Sequence, residues 1–250
     1  MDRPLSVTCL RGRTSDRTSG AGEGAEALAR ALGGEVVGSA GEAAVRDWSE
    51  DLPDARPVLE AAAAAVSGAL ARGSLPVLTA SDCSICIGSF GAVVAARPDV
   101  HVAWIDAHGD FNTPATTPSG FLGGMCLAAA CGRWDARWEA PVLDPERVHL
   151  LGVRDLDPGE EAEVAAAGVG AEPPVGVPLY VHLDTDVLDP SLMAAQFPVP
   201  GGWNGARLAA QLAELAAGCE IVGVEVTALE DLSAVPLVLE ALRPLLDASA

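Results

Sequence analysis

Positive charge is scarce in this chain of 250 residues: 15 basic side chains stand against 35 acidic ones, a formal charge of -20. A surface this acidic repels phosphate backbones and anionic headgroups, so neither nucleic acid nor a membrane surface is an expected partner. Long apolar runs are missing as well. The Ala-rich stretch from Val58 to Leu70 is broken by Glu60 and Ser67 and is too short to cross a bilayer. Met1-Asp2-Arg3-Pro4 opens a mixed polar segment, not a basic stretch leading into an apolar block, so no secretory signal is expected. The cysteines, Cys9, Cys83, Cys86, Cys126, Cys131 and Cys219, lack the spacing of a disulfide framework, and a reducing, cytoplasmic location is the expectation. Cys83 and Cys86 have redox-motif spacing, but no second pair completes a zinc site and the acidic surroundings disfavour a thiolate. Internal repeats, long linkers and low-complexity tails are also absent.

What the chain does have is apolar bulk. Half of its residues are hydrophobic, which excludes disorder as the main state and, at this length, fits one domain spanning residues 1–250. Val58, Ala62, Val66 and Ala69 recur at helical spacing within Arg56–Arg72, with Pro57 suited to the first turn. Leu75–Ala80, Val100–Asp106, Val148–Val153, Leu179–Leu183 and Ile221–Val226 read as buried strands. Ala206–Ala217 reads as an amphipathic helix, and Leu237–Leu246 as a closing helix interrupted at Pro244. Gly- and Ser-rich Ser15–Gly24 reads as a mobile loop or early turn. Strands alternating with helices predict an α/β fold of three layers, α/β/α, around a mainly parallel central sheet.

Chemistry concentrates at two strand ends. After His101-Val-Ala-Trp-Ile105 come Asp106, His108 and Asp110 at alternate positions, which in an extended segment share one face. Leu179-Tyr-Val-His-Leu183 is followed in the same way by Asp184 and Asp186. Carboxyl ends of parallel strands are where ligands gather in such sheets. Carboxylates crowded this closely need protons or cations to balance them, and two divalent ions sharing bridging carboxylates would do so. Oxygen donors with one imidazole suit manganese. His182 has the spacing to join this site, although a satisfied strand histidine is the preferred reading.

The pair Asp106-Ala-His-Gly-Asp-Phe-Asn-Thr-Pro114 and Asp184-Thr-Asp-Val-Leu-Asp-Pro190 resembles the arginase/agmatinase ureohydrolase family, over roughly Ala80 to Asp231. The resemblance implies an arginase-like fold and two manganese ions per chain, with Cys83, Asp106, His108, Asp110, Asp184 and Asp186 at the ligand positions. It also implies that Asp110 accepts a proton from the attacking water and passes it to the leaving amine. Gly152-Val-Arg-Asp-Leu-Asp-Pro-Gly-Glu160 is similar to the loop with which arginases recognise an α-ammonium, placing Asp157 and Glu160 at the contact positions. Asn112 and Ser119 fall where arginases bind the α-carboxylate. Together these imply a small amino-acid substrate rather than agmatine; the oligomeric state is left open.

Three departures from the family pattern narrow the expectation. Cys83 stands where the family has a histidine ligand. As a soft ligand it would weaken one manganese site; as a small buried thiol it would touch no metal, and both readings stay open. A zinc-selective site is the less favoured alternative, because the other ligands are mostly carboxylates. Gly123 stands where arginases commonly place a proton-shuttling histidine. Ala228 stands at the position of the guanidinium-binding glutamate, with Glu225 or Glu230 as substitutes if the alignment shifts. All three favour a guanidine less basic than that of arginine. The cysteine and the Gly123-Gly-Met125 run resemble the branch of the family that hydrolyses Nω-hydroxy-L-arginine to L-ornithine and hydroxyurea in the biosynthesis of the antibiotic D-cycloserine. The expected activity is thus a binuclear manganese amidinohydrolase acting on an N-hydroxylated or otherwise modified arginine. The alternatives are a hydrolase of another guanidino or amidino compound in secondary metabolism, or a metal-binding member without catalysis.

Overall fold

A computed structural model describes residues 3–247. Its centre is a sheet of seven parallel strands: β1 (Leu5–Arg11), β2 (Glu35–Gly38), β3 (Leu75–Ala80), β4 (His101–Ile105), β5 (Val148–Leu151), β6 (Pro178–Asp184) and β7 (Glu220–Thr227), in the spatial order β2-β1-β3-β7-β6-β4-β5. β3 and β6 are buried along their whole length. That is why they read as unbroken apolar runs and not as alternating ones.

Helices cover both faces, as the three-layer expectation requires. α1 (Gly20–Ala31), α6 (Gly205–Gly218) and α7 (Val235–Asp247) bury Leu28, Leu208, Leu212, Val238 and Leu242 against Val77, Val181 and Val224. α2 (Trp48–Ala71), α3 (Cys86–Ala96) and α4 (Cys126–Ala130) bury Leu59, Val66, Phe90 and Leu127 against Leu78, Val102, Trp104 and Tyr180 on the other face. A seventh helix, α5 (Pro158–Ala167), follows β5. The chain leaves β3 and β4 toward α3 and α4 but leaves β6 and β7 toward α6 and α7. Loops departing to opposite faces open a crevice at the carboxyl edge of the sheet, which is the usual ligand position in this architecture.

Several boundaries differ from those expected. α2 starts at Trp48, well before Arg56, because Asp47 and Glu50 form a reciprocal capping box. Pro53 and Pro57 therefore lie inside the helix, where each removes a backbone donor, and the buried stripe of Ala55, Leu59, Ala62, Val66 and Ala69 holds the helix together regardless. α7 likewise runs through Pro244, carried by Val238, Ala241, Leu242, Leu245 and Leu246. Ser15–Gly24 is not one loop: Thr14, Ser15 and Asp16 are buried, and α1 begins at Gly20. The sequence reading passed over β1 and β2; β2 is a four-residue edge strand exposed throughout.

Candidate functional site

Four strands deliver the candidate residues to one crevice. Cys83 opens a short 3-10 turn after β3, capped by Asp82. Asp106, His108 and Asp110 follow β4. Asp184 ends β6, with Asp186 in the turn beyond it, and Ala228 follows β7. The strand ends are set level by the register, which pairs Ile105 with Leu183, Leu183 with Val226, and Asp184 with Thr227. All of these candidates line one cavity of about 380 Å³, together with Asn112, Ser119, Asp157 and Glu160.

At its floor, Asp106, His108 and Asp186 bring one donor atom each within 4.8 Å of one another. His108 Nδ1 lies 3.0 Å from Asp186 Oδ2 and 3.4 Å from Asp106 Oδ1. Backbone donors aim the carboxylates: the amide of His108 bonds to Asp106 Oδ1 at 2.7 Å, that of Ala107 to Asp186 Oδ1 at 3.1 Å, and that of Asp186 to Asp184 Oδ1 at 2.7 Å. Burial opposes a charge on His108, yet the Asp106 and Asp186 carboxylates outweigh it and push its pKa up to about 12. Burial, reinforced by neighbouring acids, raises Asp184 to about 7 and Asp186 to about 6. Asp110 is pushed well above the carboxylate range by burial and then by Asp106. It has φ of 49° although it is not a glycine, a backbone position that usually accompanies a functional constraint. So much negative charge in a buried floor calls for cations, and the donor chemistry fits a divalent metal.

A second group, Cys83, Asp106 and His182, meets the same distance criterion. It grows from a row across the sheet, in which Trp104 pairs with His182 and His182 with Glu225. Trp104 stacks on the His182 ring at 3.6 Å and donates from Nε1 to Asp106 Oδ2 at 3.1 Å. His182 Nδ1 is 2.7 Å from Glu225 Oε1, and its Nε2 is 3.3 Å from Cys83 Sγ. Cys83 Sγ also donates to Asp184 Oδ2 at 2.8 Å and lies 3.1 Å from Thr227 Oγ1. His182 is thus satisfied in the core, as preferred from the sequence, and touches the site only through Cys83. Glu225, fully buried and bonded by Ser89 and Tyr180, is no wall of the cavity.

The rest of the polar lining comes from the start of α5 and the loop after β4. Asp157 and Glu160 form a capping box on α5. Glu160 accepts from the amides of Phe111 at 2.7 Å and Asp157 at 3.1 Å, which ties the two loops together. Asn112 Nδ2 donates to Asp157 Oδ2 at 3.0 Å, while Asn112 Oδ1 is buried without a partner among the described residues. Asn112 therefore offers a ligand an acceptor. Ser119 is exposed at the rim, its Oγ accepting from Phe121 N at 3.2 Å. Arg17, which the sequence reading missed, lies over the rings of Phe121 and Phe197 at 4.7 and 5.7 Å and donates to the Ser119 carbonyl at 3.3 Å. Phe197, Gln196 and Glu230 also line the cavity; Glu230 was one of the two substitutes expected for the glutamate absent at Ala228, and no motif marked the other two.

Comparison with known proteins gives these features a lineage. The model for the Arginase family matches residues 10–231. This chain belongs to the arginase family. It is 37% identical, over 98% of each chain, to the Nω-hydroxy-L-arginine amidinohydrolase of Streptomyces lavendulae. The solved arginase of Bacillus caldovelox superposes with a TM-score of 0.81 at 27% identity, covering 98% of both chains. Proclavaminate amidino hydrolase from Streptomyces clavuligerus shares the fold with a TM-score of 0.74 at 17% identity, over 99% of this chain and 91% of that one.

Against this arginase background the departures acquire a physical form. A Cβ at Gly123 would sit 2.4 Å from Phe121 Cε1, so the Phe121 ring fills the space that a side chain there would need. Ala228 adopts φ of 58°, turning the chain so that Glu230 reaches the cavity. Gly20 and Gly24 of α1 leave room for this turn, since a Cβ on Gly24 would lie 1.8 Å from Leu229 O and one on Gly20 would lie 2.6 Å from Glu230 Oε2. Thr18 Oγ1 bonds to the other oxygen, Glu230 Oε1. Among the described residues, no helix is long and apolar enough to cross a membrane.

Proposed function

We propose that this chain is a metal-dependent amidinohydrolase that cleaves Nω-hydroxy-L-arginine to L-ornithine and hydroxyurea. The observation that carries the reading is a single cavity lined both by the buried carboxylate–histidine group and by Asn112 and Asp157. Its support is the full-length likeness to an enzyme named for that substrate. The residues that would hold divalent cations are Asp106, His108, Asp110, Asp184 and Asp186, with manganese the best match to the oxygen-rich group around His108. When bound, such cations supply a water acidic enough to act as nucleophile near neutral pH.

The remaining work falls to side chains. Asp157 and the free Asn112 Oδ1 would accept from the substrate's α-ammonium, which moves Asn112 from the α-carboxylate contact expected of it, and Ser119 at the rim would meet the carboxylate. Glu160 braces these groups by holding the Phe111 and Asp157 amides. Asp110, buried at the floor, would take a proton from the attacking water and return it to the leaving nitrogen of ornithine. With alanine at 228, the guanidino group meets Glu230 instead, and Thr18 already holds one of its oxygens. A single free acceptor suits one N–OH or N–H donor better than the two-pronged fork of an unmodified guanidinium. The direct test is hydrolysis of Nω-hydroxy-L-arginine, L-arginine and agmatine by the manganese-loaded chain, read as ornithine or putrescine. Preference for the hydroxylated substrate is expected; agmatine as the preferred substrate would overturn the proposal.

A further inference from the structure

The segment from Asp189 to Gly202, between β6 and α6, has no helix or strand of its own yet is closed at its base. Trp203 N donates to the Val187 carbonyl at 2.8 Å, Asp189 N donates to that of Trp203 at 2.9 Å, and Asp189 Oδ2 accepts from the amides of Gly201 and Gly202. Met193 is buried in the core, and Arg154 Nη2 donates to the Val199 carbonyl at 2.9 Å. Between these anchors Gln196, Phe197 and Pro198 reach the cavity. A loop clamped only at its base has a free tip, so a contact at the tip decides where these residues stand. Gln196 makes that contact. Its Oε1 accepts from the backbone amides of Arg17 at 2.9 Å and Thr18 at 3.2 Å, in the connection between β1 and α1. Two amide donors on one atom identify that atom as the side-chain oxygen. In the sheet β1 and β6 are separated by β3 and β7, so the contact bridges strand ends that the sheet itself does not pair.

Each side of this bridge carries a residue of the site. Next to Gln196, Phe197 meets the His108 ring edge-on at 6.3 Å between centroids and the Phe121 ring at 4.9 Å. On the other side, Thr18 Oγ1 bonds to Glu230 Oε1 and also stands 3.2 Å from Gln196 Oε1. A hydroxyl has one proton and both of those atoms are acceptors, so the charged carboxylate takes it and the two amides alone hold Gln196. We infer that Gln196 is a positioning residue for the amidino substrate: it latches the loop after β6 to the turn after β1, and so fixes Phe197 beside His108 and Thr18 against Glu230 together. The inference rests on the reading of Glu230 as the group that meets the guanidino end. With its oxygen occupied by the amides, Gln196 acts through these neighbours, and its loss weakens binding more than the chemical step.

The test removes the acceptor and keeps the shape. In Gln196→Met the amide hydrogens of Arg17 and Thr18 are expected to exchange with solvent about tenfold faster than in the wild type, read residue by residue by NMR. KM for Nω-hydroxy-L-arginine should rise about tenfold, the worth of the lost hydrogen bonds, with kcat nearly unchanged. Gln196→Glu, whose carboxylate can accept from both amides, should restore slow exchange. Unchanged exchange in Gln196→Met, fast exchange in Gln196→Glu, or a fall in kcat with KM unchanged would overturn the inference. Exchange that follows the expected pattern, in a wild-type chain that hydrolyses neither Nω-hydroxy-L-arginine nor L-arginine, supports the latch and removes the hydrolase proposal instead.

Discussion

Glu230 and Asp110 are the residues whose roles separate most cleanly. Glu230 lies outside the metal floor, on the wall beside Ala228, so its replacement should act on binding. Glu230→Gln is expected to raise KM for Nω-hydroxy-L-arginine about tenfold, the worth of one charge-assisted hydrogen bond, with kcat nearly unchanged. Steady-state kinetics check this, and an unchanged KM would remove Glu230 from the substrate contacts. Asp110→Asn keeps the shape but loses the proton acceptor, and should lower kcat by about 10²–10⁴-fold. At this scale much was legible. Alternation after an apolar strand marked Asp106, His108, Asp110, Asp184 and Asp186, since period-two geometry is local. What surrounds them was not. Arg17, Phe121 and Phe197 meet only through the fold, and Asn112 offers its oxygen because Asp157, far along the chain, already holds its nitrogen.

Among the elements, the contact between α1 and the turn after β7 positions Glu230. Gly24→Ala would drive a methyl group into Leu229 O, against backbone that cannot swing aside. A loss of about 1–3 kcal/mol in denaturant unfolding is expected, together with a raised KM as the turn shifts. A second prediction concerns the stacked rings of His101 and His149 on β4 and β5, whose Nδ1 and Nε2 lie 3.0 Å apart. Burial and then His101 lower the pKa of His149 from 6.5 to about 4. The unfolded chain therefore takes up a proton first as pH falls, and the stability contributed by the neutral ring is present above about 6.5 and lost on the way down to about 4. His149→Gln should flatten that part of the stability–pH curve; an unchanged slope would place the acid sensitivity elsewhere. Element order was readable for the buried strands, because continuous apolar runs bounded by helices carry that signal. β2 escaped because an exposed four-residue edge strand has no buried pattern to read, and α2 began early because a capping box outweighed the prolines. His182 shows the same limit: its spacing was visible, but its partner was fixed by the cross-sheet register with Glu225.

For the whole molecule, a charge of -20 gathered partly around one floor ties stability to bound cations. Metal at a thousandfold excess over its Kd should stabilise the fold by about 4 kcal/mol, so chelation is expected to lower the Tm and manganese to restore it. A Tm indifferent to chelation would argue against a metal centre in the folded chain. The chain shares its fold with the solved arginase of Bacillus caldovelox, and Cys83, Gly123 and Ala228 line its crevice. The most direct measurement is product analysis after incubating the metal-loaded chain with Nω-hydroxy-L-arginine and, separately, with L-arginine. Equal amounts of L-ornithine and hydroxyurea from the first, at a much higher kcat/KM than ornithine and urea from the second, is the expected result. Ornithine from neither, with both metal positions filled, would contradict it.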